Sequence, residues 1–216
     1  MKLAIFGNGS QAELANYYFS TIHRSPEFHV VDKNYISETT FCATDVISYE
    51  ESLAYISPET HEIFIAIGYS KLNSKRQEIY QRFKALGFSF ASFVSDRAFI
   101  SNSHIGEHAF ILEGNVLQPF TKIGNNVVLW SGNHIGHHTL IHSNVFVSSH
   151  VVIGGHCSIG ANSFLGVNAT IIDGITIGTS NIIGAGTLVT RSTDQDKVIV
   201  SYPSTISKVP SNKVKF

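Results

Sequence analysis

The chain has 216 residues, enough for one substantial core or two modest ones. Its formal net charge is −1 and its pI is near 6.8, so it lacks the basic surface that binds nucleic acid or an anionic membrane. Its two cysteines are far apart, and no apolar run approaches the roughly 18 residues that span a bilayer. We therefore predict a protein of the reducing cytoplasm, with no disulfide, no nucleic-acid partner and no membrane partner.

The first elements of the chain form a nucleotide-binding pattern. A short apolar strand, KLAIFG, runs into a G-x-G-x-x-A turn over residues 7–12, a helical stretch follows, and a second strand, FHVVD, ends at Asp32. In this pattern the glycines let a phosphate approach the backbone at the N-terminus of the helix. Residues 62–68, 72–86 and 88–94 are predicted to form a third strand, a helix and a last strand. We predict an α/β, Rossmann-like half domain over residues 1–92, which is at most half of an NAD-binding fold.

The rest of the chain is built on a period of six residues. Charged residues become rare after residue 92, and the seventeen hexads cut from Phe93 to residue 194 all open with Ile, Leu, Val or Phe. Eight of these hexads have glycine in the second place, which suits a tight corner. Three short strands and three corners make a coil of 18 residues, and successive coils pair about 4.8 Å apart. We predict a triangular parallel β-helix over residues 93–194, about 27 Å long at that spacing, and a tail over residues 195–216.

This register resembles that of the hexapeptide-repeat acyltransferases, which implies a left-handed parallel β-helix, an exception to the usual right-handed crossover. A Rossmann-like domain before such a prism is similar to bacterial sugar acyltransferases, a group with nucleotide-amino-sugar N-acetyltransferases and sialic acid O-acetyltransferases. The resemblance implies that the first domain holds a nucleotide-linked sugar and that the prism holds acetyl-CoA. It also implies a homotrimer with each cofactor cleft between two subunits. A purely structural β-helix is the alternative from another class.

The resemblance assigns binding residues to both halves of the chain. It implies that the glycine turn holds the diphosphate, that residues after the second strand approach the base or ribose, and that the exit of the third strand closes the pocket. The substrate-binding residues implied in this way are Gly7, Asn8, Gly9, Ser10, Asp32, Lys33, Gly68, Tyr69, Asn133 and His134. The residues implied to contact the cofactor are Gly154, Gly155, Gly166 and Gly184.

Four histidines crowd residues 131–146, and one of them falls on the catalytic position of the family. The hexad IGHHTL has His137 third, where the resemblance implies a general base for the attacking amine. The resemblance also implies that the backbone N–H of Gly155 donates to the oxyanion. The sequence departs from the family in having His138 where an acidic neighbour is common, and Trp130 where an asparagine is usual. Glu113 is a candidate for the missing orienting carboxylate.

The other histidines and Cys157 have plainer interpretations. His138 and His156 stand 18 residues apart and could share a metal, but no carboxylate or cysteine joins them in the column. We therefore expect corner residues that make hydrogen bonds, and no metal site. Cys157 shares the fifth place of its hexad with other small residues, so we expect it to pack inside rather than carry an acyl group. Three further histidines are expected at the surface or at a subunit interface: His104, His108 and His150.

The sequence as a whole favours an acetyl-CoA-dependent N-acetyltransferase. Its acceptor would be the amino group of a UDP- or dTDP-linked 4-amino-4,6-dideoxyhexose for surface-polysaccharide synthesis, with His137 as the base. An O-acetyltransferase is the closest alternative, and a non-catalytic nucleotide-sugar-binding protein is another. A hydroxyl needs stronger base assistance than an amine does, so the missing acidic neighbour favours the amine. A group of tail lysines could supply positive charge to the phosphates of coenzyme A: Lys208, Lys213 and Lys215.

Overall fold

The structure, a computed structural model, describes residues 1–201, so the predicted tail lysines lie outside the described residues. The N-terminal part is a six-stranded sheet with two α-helices and two short 3-10 helices (Lys33–Tyr35 and Ser52–Ala54). Its other elements are β1 (Lys2–Phe6), α1 (Ser10–Thr21), β2 (Phe28–Val31), β3 (Thr40–Phe41), β4 (Thr44–Ser48), β5 (His61–Ile65), α2 (Ser74–Ala85) and β6 (Ser89–Phe90). Within residues 1–201, no helix is both long enough and apolar enough to cross a bilayer.

The strand order creates a crevice at one edge of this sheet. The order is β3-β4-β2-β1-β5-β6, and all neighbours are parallel except the β3–β4 hairpin. The chain therefore continues from β1 to one side and later returns to the other, which opens the sheet at the carboxyl end of β1. Gly7 follows β1 with a φ of 133°, and a Cβ there would lie 3.0 Å from the carbonyl oxygen of Ala66. Only glycine fits this turn without strain.

The predicted elements of this part are present, with two differences. The hairpin of β3 and β4 was not predicted, because its two strands are short and carry polar residues at most positions. The segment FSFASFV was predicted as one strand, but Ser89–Phe90 pairs with β5, whereas Phe93–Val94 pairs within the second part of the chain.

Eighteen two-residue strands form a triangular prism of three parallel sheets. The first face contains β7 (Phe93–Val94), β10 (Phe110–Ile111), β13 (Val128–Leu129), β16 (Phe146–Val147), β19 (Phe164–Leu165), β22 (Ile182–Ile183) and β24 (Val198–Ile199). The second face contains β8 (Phe99–Ile100), β11 (Val116–Leu117), β14 (His134–Ile135), β17 (Val152–Ile153), β20 (Thr170–Ile171) and β23 (Leu188–Val189). The third face contains β9 (His104–Ile105), β12 (Lys122–Ile123), β15 (Leu140–Ile141), β18 (Ser158–Ile159) and β21 (Thr176–Ile177). These stacked sheets fit the left-handed β-helix implied by the resemblance, and the stack continues beyond residue 194.

The period of six holds from Ile105 to Val189, but the first coil is one residue short and the last coil is two residues short. The hexads counted from Phe93 predict that Phe99, as a first-place residue, faces the core. In the structure Ile100 is in register with Leu117 and packs against the core of the prism, while Phe99 is 65% exposed. Both residues are apolar, so the period alone did not distinguish the correct register from its neighbour.

The fourth place of the hexad explains the abundance of histidine and asparagine. From His108 to Gly186 every residue in this place has a positive φ, between 56° and 78°. Asparagine and histidine tolerate this left-handed conformation better than most residues do. Glycine in the second place has another role, because a Cβ on Gly136 would lie 2.5 Å from the carbonyl carbon of Gly154 in the next coil. Crowding at the second place therefore comes from the neighbouring coil.

The N-terminal part covers the first face of the prism. Outward side chains of this face, including Phe110, Phe146 and Phe164, pack against an apolar cluster that contains Phe19 of α1. We name the corner between the first and second faces the first corner, that between the second and third faces the second corner, and that between the third and first faces the third corner. Because the N-terminal part lies over the first face, the second corner is on the opposite side of the prism.

Two buried side chains join the N-terminal part to the third corner. Arg76 of α2 is fully buried and donates to the carbonyl oxygens of Asn126 and Asn144, both at 3.2 Å. Burial lowers the pKa of Arg76 to about 9. His108 Nε2 accepts from the backbone N–H of Ile65 at 2.7 Å, and its Nδ1 donates to Asn126 Oδ1 at 2.7 Å. The surface position expected for His108 is therefore wrong, because this residue lies under the N-terminal sheet.

Candidate active site

A cavity of about 310 Å³ lies at the carboxyl ends of β1, β2 and β5. Five residues expected to bind substrate line it together: Gly7, Asn8, Gly9, Ser10 and Asp32. The N-terminus of α1 opens onto this cavity, and its free backbone N–H groups favour an anionic group. The cavity therefore has the geometry that the glycine turn predicted.

The charges around this cavity include one that the sequence did not single out. Lys75, in the first turn of α2, lines the cavity, and its Nζ lies 3.7 Å from Asp32 Oδ2. The other carboxylate oxygen of Asp32 accepts from Arg82 Nη1 at 3.0 Å. Asp32 is thus partly neutralised, while Lys75 adds a positive charge next to the end of α1. This combination suits a phosphate better than it suits a cation.

Two other residues expected in this pocket lie elsewhere. Lys33 does not line the cavity, and its backbone N–H donates to Glu50 Oε2 at 3.3 Å. Tyr69 lines a second cavity, of about 190 Å³, together with Trp130 and Phe146 of the prism. Its ring centroid is 5.1 Å from that of Phe146. Tyr69 is therefore part of the contact between the two parts of the chain. Gly68 does not line the first cavity, but its neighbour Gln11 does. A Cβ added to Gly68 would lie 3.7 Å from Cγ of Gln11.

His137 is exposed at the second corner, and its backbone and ring are both held by neighbours. Its backbone N–H donates to Gln118 Oε1 at 2.9 Å, across adjacent coils. Its Nδ1 lies 3.1 Å from Nδ1 of His138, a distance at which one ring donates to the other. When His137 is the donor, its Nε2 keeps a free lone pair. Gln118 was not singled out from the sequence, although it stands 18 residues before Gly136 in the same column.

Gly155 lies directly beside the His137 ring. A Cβ on Gly155 would lie 2.8 Å from Cε1 and 2.9 Å from Nε2 of His137. The backbone N–H of Gly155 donates to Oδ1 of the exposed Asp173 at 2.6 Å. The N–H that was expected to donate to the oxyanion thus donates to a carboxylate oxygen.

The carboxylate proposed to orient His137 lies elsewhere. Glu113 is at the first corner, where it accepts from Ser131 Oγ at 2.7 Å and from Tyr18 Oη at 3.0 Å. These bonds fasten α1 to the prism. Glu113 and His137 both hold the third place of their hexads, but Glu113 is at the first corner and His137 at the second. The role suggested for Glu113 is therefore wrong.

Asn133 is buried inside the prism rather than exposed to a substrate. It is 1% exposed, and its Nδ2 donates to Asn115 Oδ1 at 3.0 Å while its Oδ1 accepts from the N–H of Val151 at 2.8 Å. These bonds join three successive coils. The substrate contact expected for Asn133 is therefore wrong, because its amide is fully committed inside the prism.

We expect Asn133→Ala to lower the free energy of unfolding by about 1–3 kcal/mol, because buried groups of Asn115 and Val151 lose their partner. The KM for the acceptor should not change. Chemical denaturation and steady-state kinetics of the same preparation measure both quantities. Asn168→Gly is a matched control, since Asn168 is exposed and has a φ of 57° that glycine adopts freely. A raised KM with unchanged stability would restore the substrate contact.

The four glycines expected to contact the cofactor do not form one surface. Gly154 and Gly155 are at the second corner, while Gly166 and Gly184 are at the first corner. A Cβ on Gly166 would lie 2.6 Å from the backbone nitrogen of Ala185, so this glycine is required by the next coil. His134 points outward from the second face, in register with Val152.

One histidine column and Cys157 complete the second corner. The rings of Phe120 and His138 have centroids 4.7 Å apart, and those of His138 and His156 are stacked at 4.8 Å. The ring of His137 is nearly perpendicular to both histidine rings. Cys157 is 2% exposed in the core of the prism, and burial raises the pKa of its thiol. Its predicted packing role is confirmed.

We expect Gly155→Ala to lower turnover about tenfold to a hundredfold, because the new methyl group displaces the His137 imidazole and misplacement of about 1 Å has this effect. The stability of the fold should change little, since Gly155 has no positive φ. Initial rates and thermal unfolding test this result. Full activity in Gly155→Ala would mean that the position of the imidazole is not critical.

A family of hexapeptide-repeat proteins matches the second part of the chain. The family described as bacterial transferase hexapeptide (six repeats) matches residues 102–137, 120–155 and 156–191. Together these matches span residues 102–191 of the prism. A sequence search of curated proteins finds no match to the chain.

Several solved structures share the fold of this chain along nearly its whole length. Perosamine N-acetyltransferase from Caulobacter crescentus, in complex with CoA and GDP-perosamine, has a TM-score of 0.83 and 22% identity, covering 96% of this chain and 97% of that one. The acetyltransferase domain of PglB from Neisseria gonorrhoeae has a TM-score of 0.82 and 22% identity, covering 94% and 98%. WeeI from Acinetobacter baumannii has a TM-score of 0.61 and 20% identity, covering 96% and 100%. At these identities the shared property is the fold.

Proposed function

We propose that this chain transfers an acetyl group from acetyl-CoA to the amino group of a nucleotide-linked amino-deoxy sugar. In this proposal residues 1–92 form a Rossmann-like domain that holds the nucleotide, and the prism holds acetyl-CoA. One observation carries the proposal. A single chain combines an anion-binding glycine cavity with a hexapeptide prism that exposes a hydrogen-bonded histidine at the opposite corner. The free state of both cysteines fits a cytoplasmic setting.

The proposed chemistry is direct transfer with His137 as general base. The amine attacks the thioester carbonyl, a C–N bond forms, and the lost amine proton goes to Nε2 of His137. The C–S bond then breaks, and the imidazolium returns the proton to the leaving thiolate of coenzyme A. The N–H of Gly155 is the proposed donor to the tetrahedral oxyanion, which takes the place that the oxygen of Asp173 occupies in the free protein.

His138 is the proposed positioning residue for the base. In the relatives implied by the sequence a carboxylate often follows the base, and here the 3.1 Å contact between the two Nδ1 atoms takes its place. When His138 accepts this hydrogen bond, the proton of His137 stays on Nδ1. The lone pair of Nε2 is then available to the sugar amine. A neutral acceptor stabilises the imidazolium less than a carboxylate does. This weaker stabilisation of the imidazolium favours an amine nucleophile over a hydroxyl, because a hydroxyl needs stronger base assistance.

The positions of the two half-sites support a homo-oligomer. The glycine cavity belongs to the part that covers the first face, whereas His137 is at the second corner, across the prism. A sugar held in the cavity cannot reach His137 of its own chain through the packed core. We therefore propose that the acceptor from one subunit meets His137 of another, in a homotrimer with closed symmetry.

The experiment that tests this function is a product assay with acetyl-CoA and a panel of nucleotide sugars. The panel contains UDP-, dTDP- and GDP-linked 4-amino sugars and their hydroxyl counterparts, and GDP is included because a structural relative binds GDP-perosamine. We expect acetylation of an amino sugar only. Acetylation of the hydroxyl counterparts would establish the O-acetyltransferase instead. No product with any acceptor, while acetyl-CoA still binds, would contradict the proposed acceptor class.

A further inference from the structure

Three imidazoles meet at the second corner, outside the packed core. His137, His138 and His156 are all exposed, and each offers a ring nitrogen within 4.8 Å of the other two. The 18-residue spacing places His138 and His156 in one column, and His137 adds a third ring that is turned 88° and 85° from theirs. The sequence predicted that His138 and His156 stack, but with no third ligand in their column we expected no metal site. It did not predict the approach of His137, which belongs to the neighbouring column.

The distances are close to those of a three-histidine metal site. Zinc–nitrogen bonds of about 2.0–2.1 Å in a tetrahedron place the nitrogens about 3.4 Å apart. The Nδ1 atoms of His137 and His138 are 3.1 Å apart, so these two already have such a spacing. The ligand nitrogens lie within 4.8 Å of one another, so the ring of His156 moves inward by at most about 1.4 Å to complete the set, which a rotation of an exposed side chain provides.

The surroundings also favour a cation at this corner. The three backbone positions are fixed by the coil ladder, in which the N–H of His156 donates to the carbonyl oxygen of His137 at 2.9 Å. The carboxylate of Asp173 is bonded to Gly155, the glycine that touches the His137 ring, so a negative charge lies on the next coil. Three protein ligands leave a fourth position for water.

We propose that His137, His138 and His156 bind a divalent transition-metal ion of the zinc and cobalt class, and that this ion inhibits acetyl transfer. The inhibition, unlike the binding, rests on the proposed function. A metal on Nε2 of His137 consumes the lone pair that the reaction needs. A metal on Nδ1 moves the remaining proton of that ring to Nε2 and has the same effect. Soft and borderline metals bind imidazole, whereas Mg²⁺ prefers oxygen ligands and should have no effect.

The binding is tested on tag-free, chelator-treated protein by titration with Co²⁺, read from the visible absorption of the bound ion. We expect saturable binding of one Co²⁺ per chain and a loss of at least about tenfold in affinity in His156→Asn. His150→Asn is the matched control, because His150 is also exposed in the fourth place of a hexad, with the same φ of 58°. Asparagine occupies this place in other hexads, so both variants should fold. Equal affinity in wild type and His156→Asn would overturn the site, as would equal binding of Mg²⁺.

The inhibition is tested separately by measuring the acetylated sugar by mass, since Zn²⁺ binds the free thiol of released CoA. We expect Zn²⁺ to inhibit the wild type and His150→Asn equally, and His156→Asn to need at least about tenfold more Zn²⁺. Unchanged sensitivity in His156→Asn would contradict inhibition through this site. The cobalt titration does not depend on turnover, so failure of the metal site and failure of the proposed acetyl transfer give different results.

Discussion

Replacing His137 with alanine is expected to lower turnover by about 10² to 10⁴, which is the usual contribution of a general base. The imidazole is exposed and makes no core contact, so its loss should leave the stacking of the coils intact. Oligomeric state and the affinity for CoA should therefore stay near those of the wild type. The value of kcat with a saturating amino sugar is the decisive measurement.

The control for this loss is a second exposed histidine. His150→Asn removes an imidazole from the first corner, away from Gly155 and His138, and should keep full activity. If His137→Ala retained more than about a tenth of the wild-type rate, proton removal by this residue would be ruled out as a main contribution. A fall in CoA binding that matched the fall in rate would instead assign His137 to the cofactor site.

The hexad pattern predicted the prism because inward packing makes one place in six obligatorily apolar. That place is buried from Ile111 to Val189, as expected for stacked coils of 18 residues. The pattern could not locate the short first coil, since Phe99 and Ile100 are both apolar. It also could not show which face is covered. The aromatic residues in the sixth place, such as Phe110 and Phe146, mark the first face only once their partners on α1 are known.

The candidate site was predictable where local sequence decides the geometry. The glycine turn is such a case, because the conformation of Gly7 is set by the strand and helix that flank it. Side chains at corners are different, because their surroundings depend on which of three corners they occupy. His108 and His138 share the fourth place of their hexads, yet one is buried under the N-terminal sheet and the other is exposed. Asn133 and His137 are four residues apart but lie at different corners. Asn133 is buried and joins coils, whereas His137 is exposed.

Acidification is expected to destabilise this protein through His108, by roughly 1.4 kcal/mol per pH unit below pH 6.5 and by about 3 kcal/mol at pH 4. Burial, with a smaller effect of the positive charge of Arg76, lowers the pKa of His108 to about 3, against the opposite effects of the Asn126 hydrogen bond and of Glu107. Between pH 6.5 and 3 the unfolded chain therefore binds a proton that the folded chain refuses, so stability rises with pH across this window. A proton on Nε2 would also face the N–H of Ile65, which now donates to that atom. Urea unfolding at a series of pH values measures the slope in wild type and in His108→Asn, which is expected to be less stable at pH 7 but to show the smaller slope. The same slope in both proteins would mean that other groups cause the acid sensitivity.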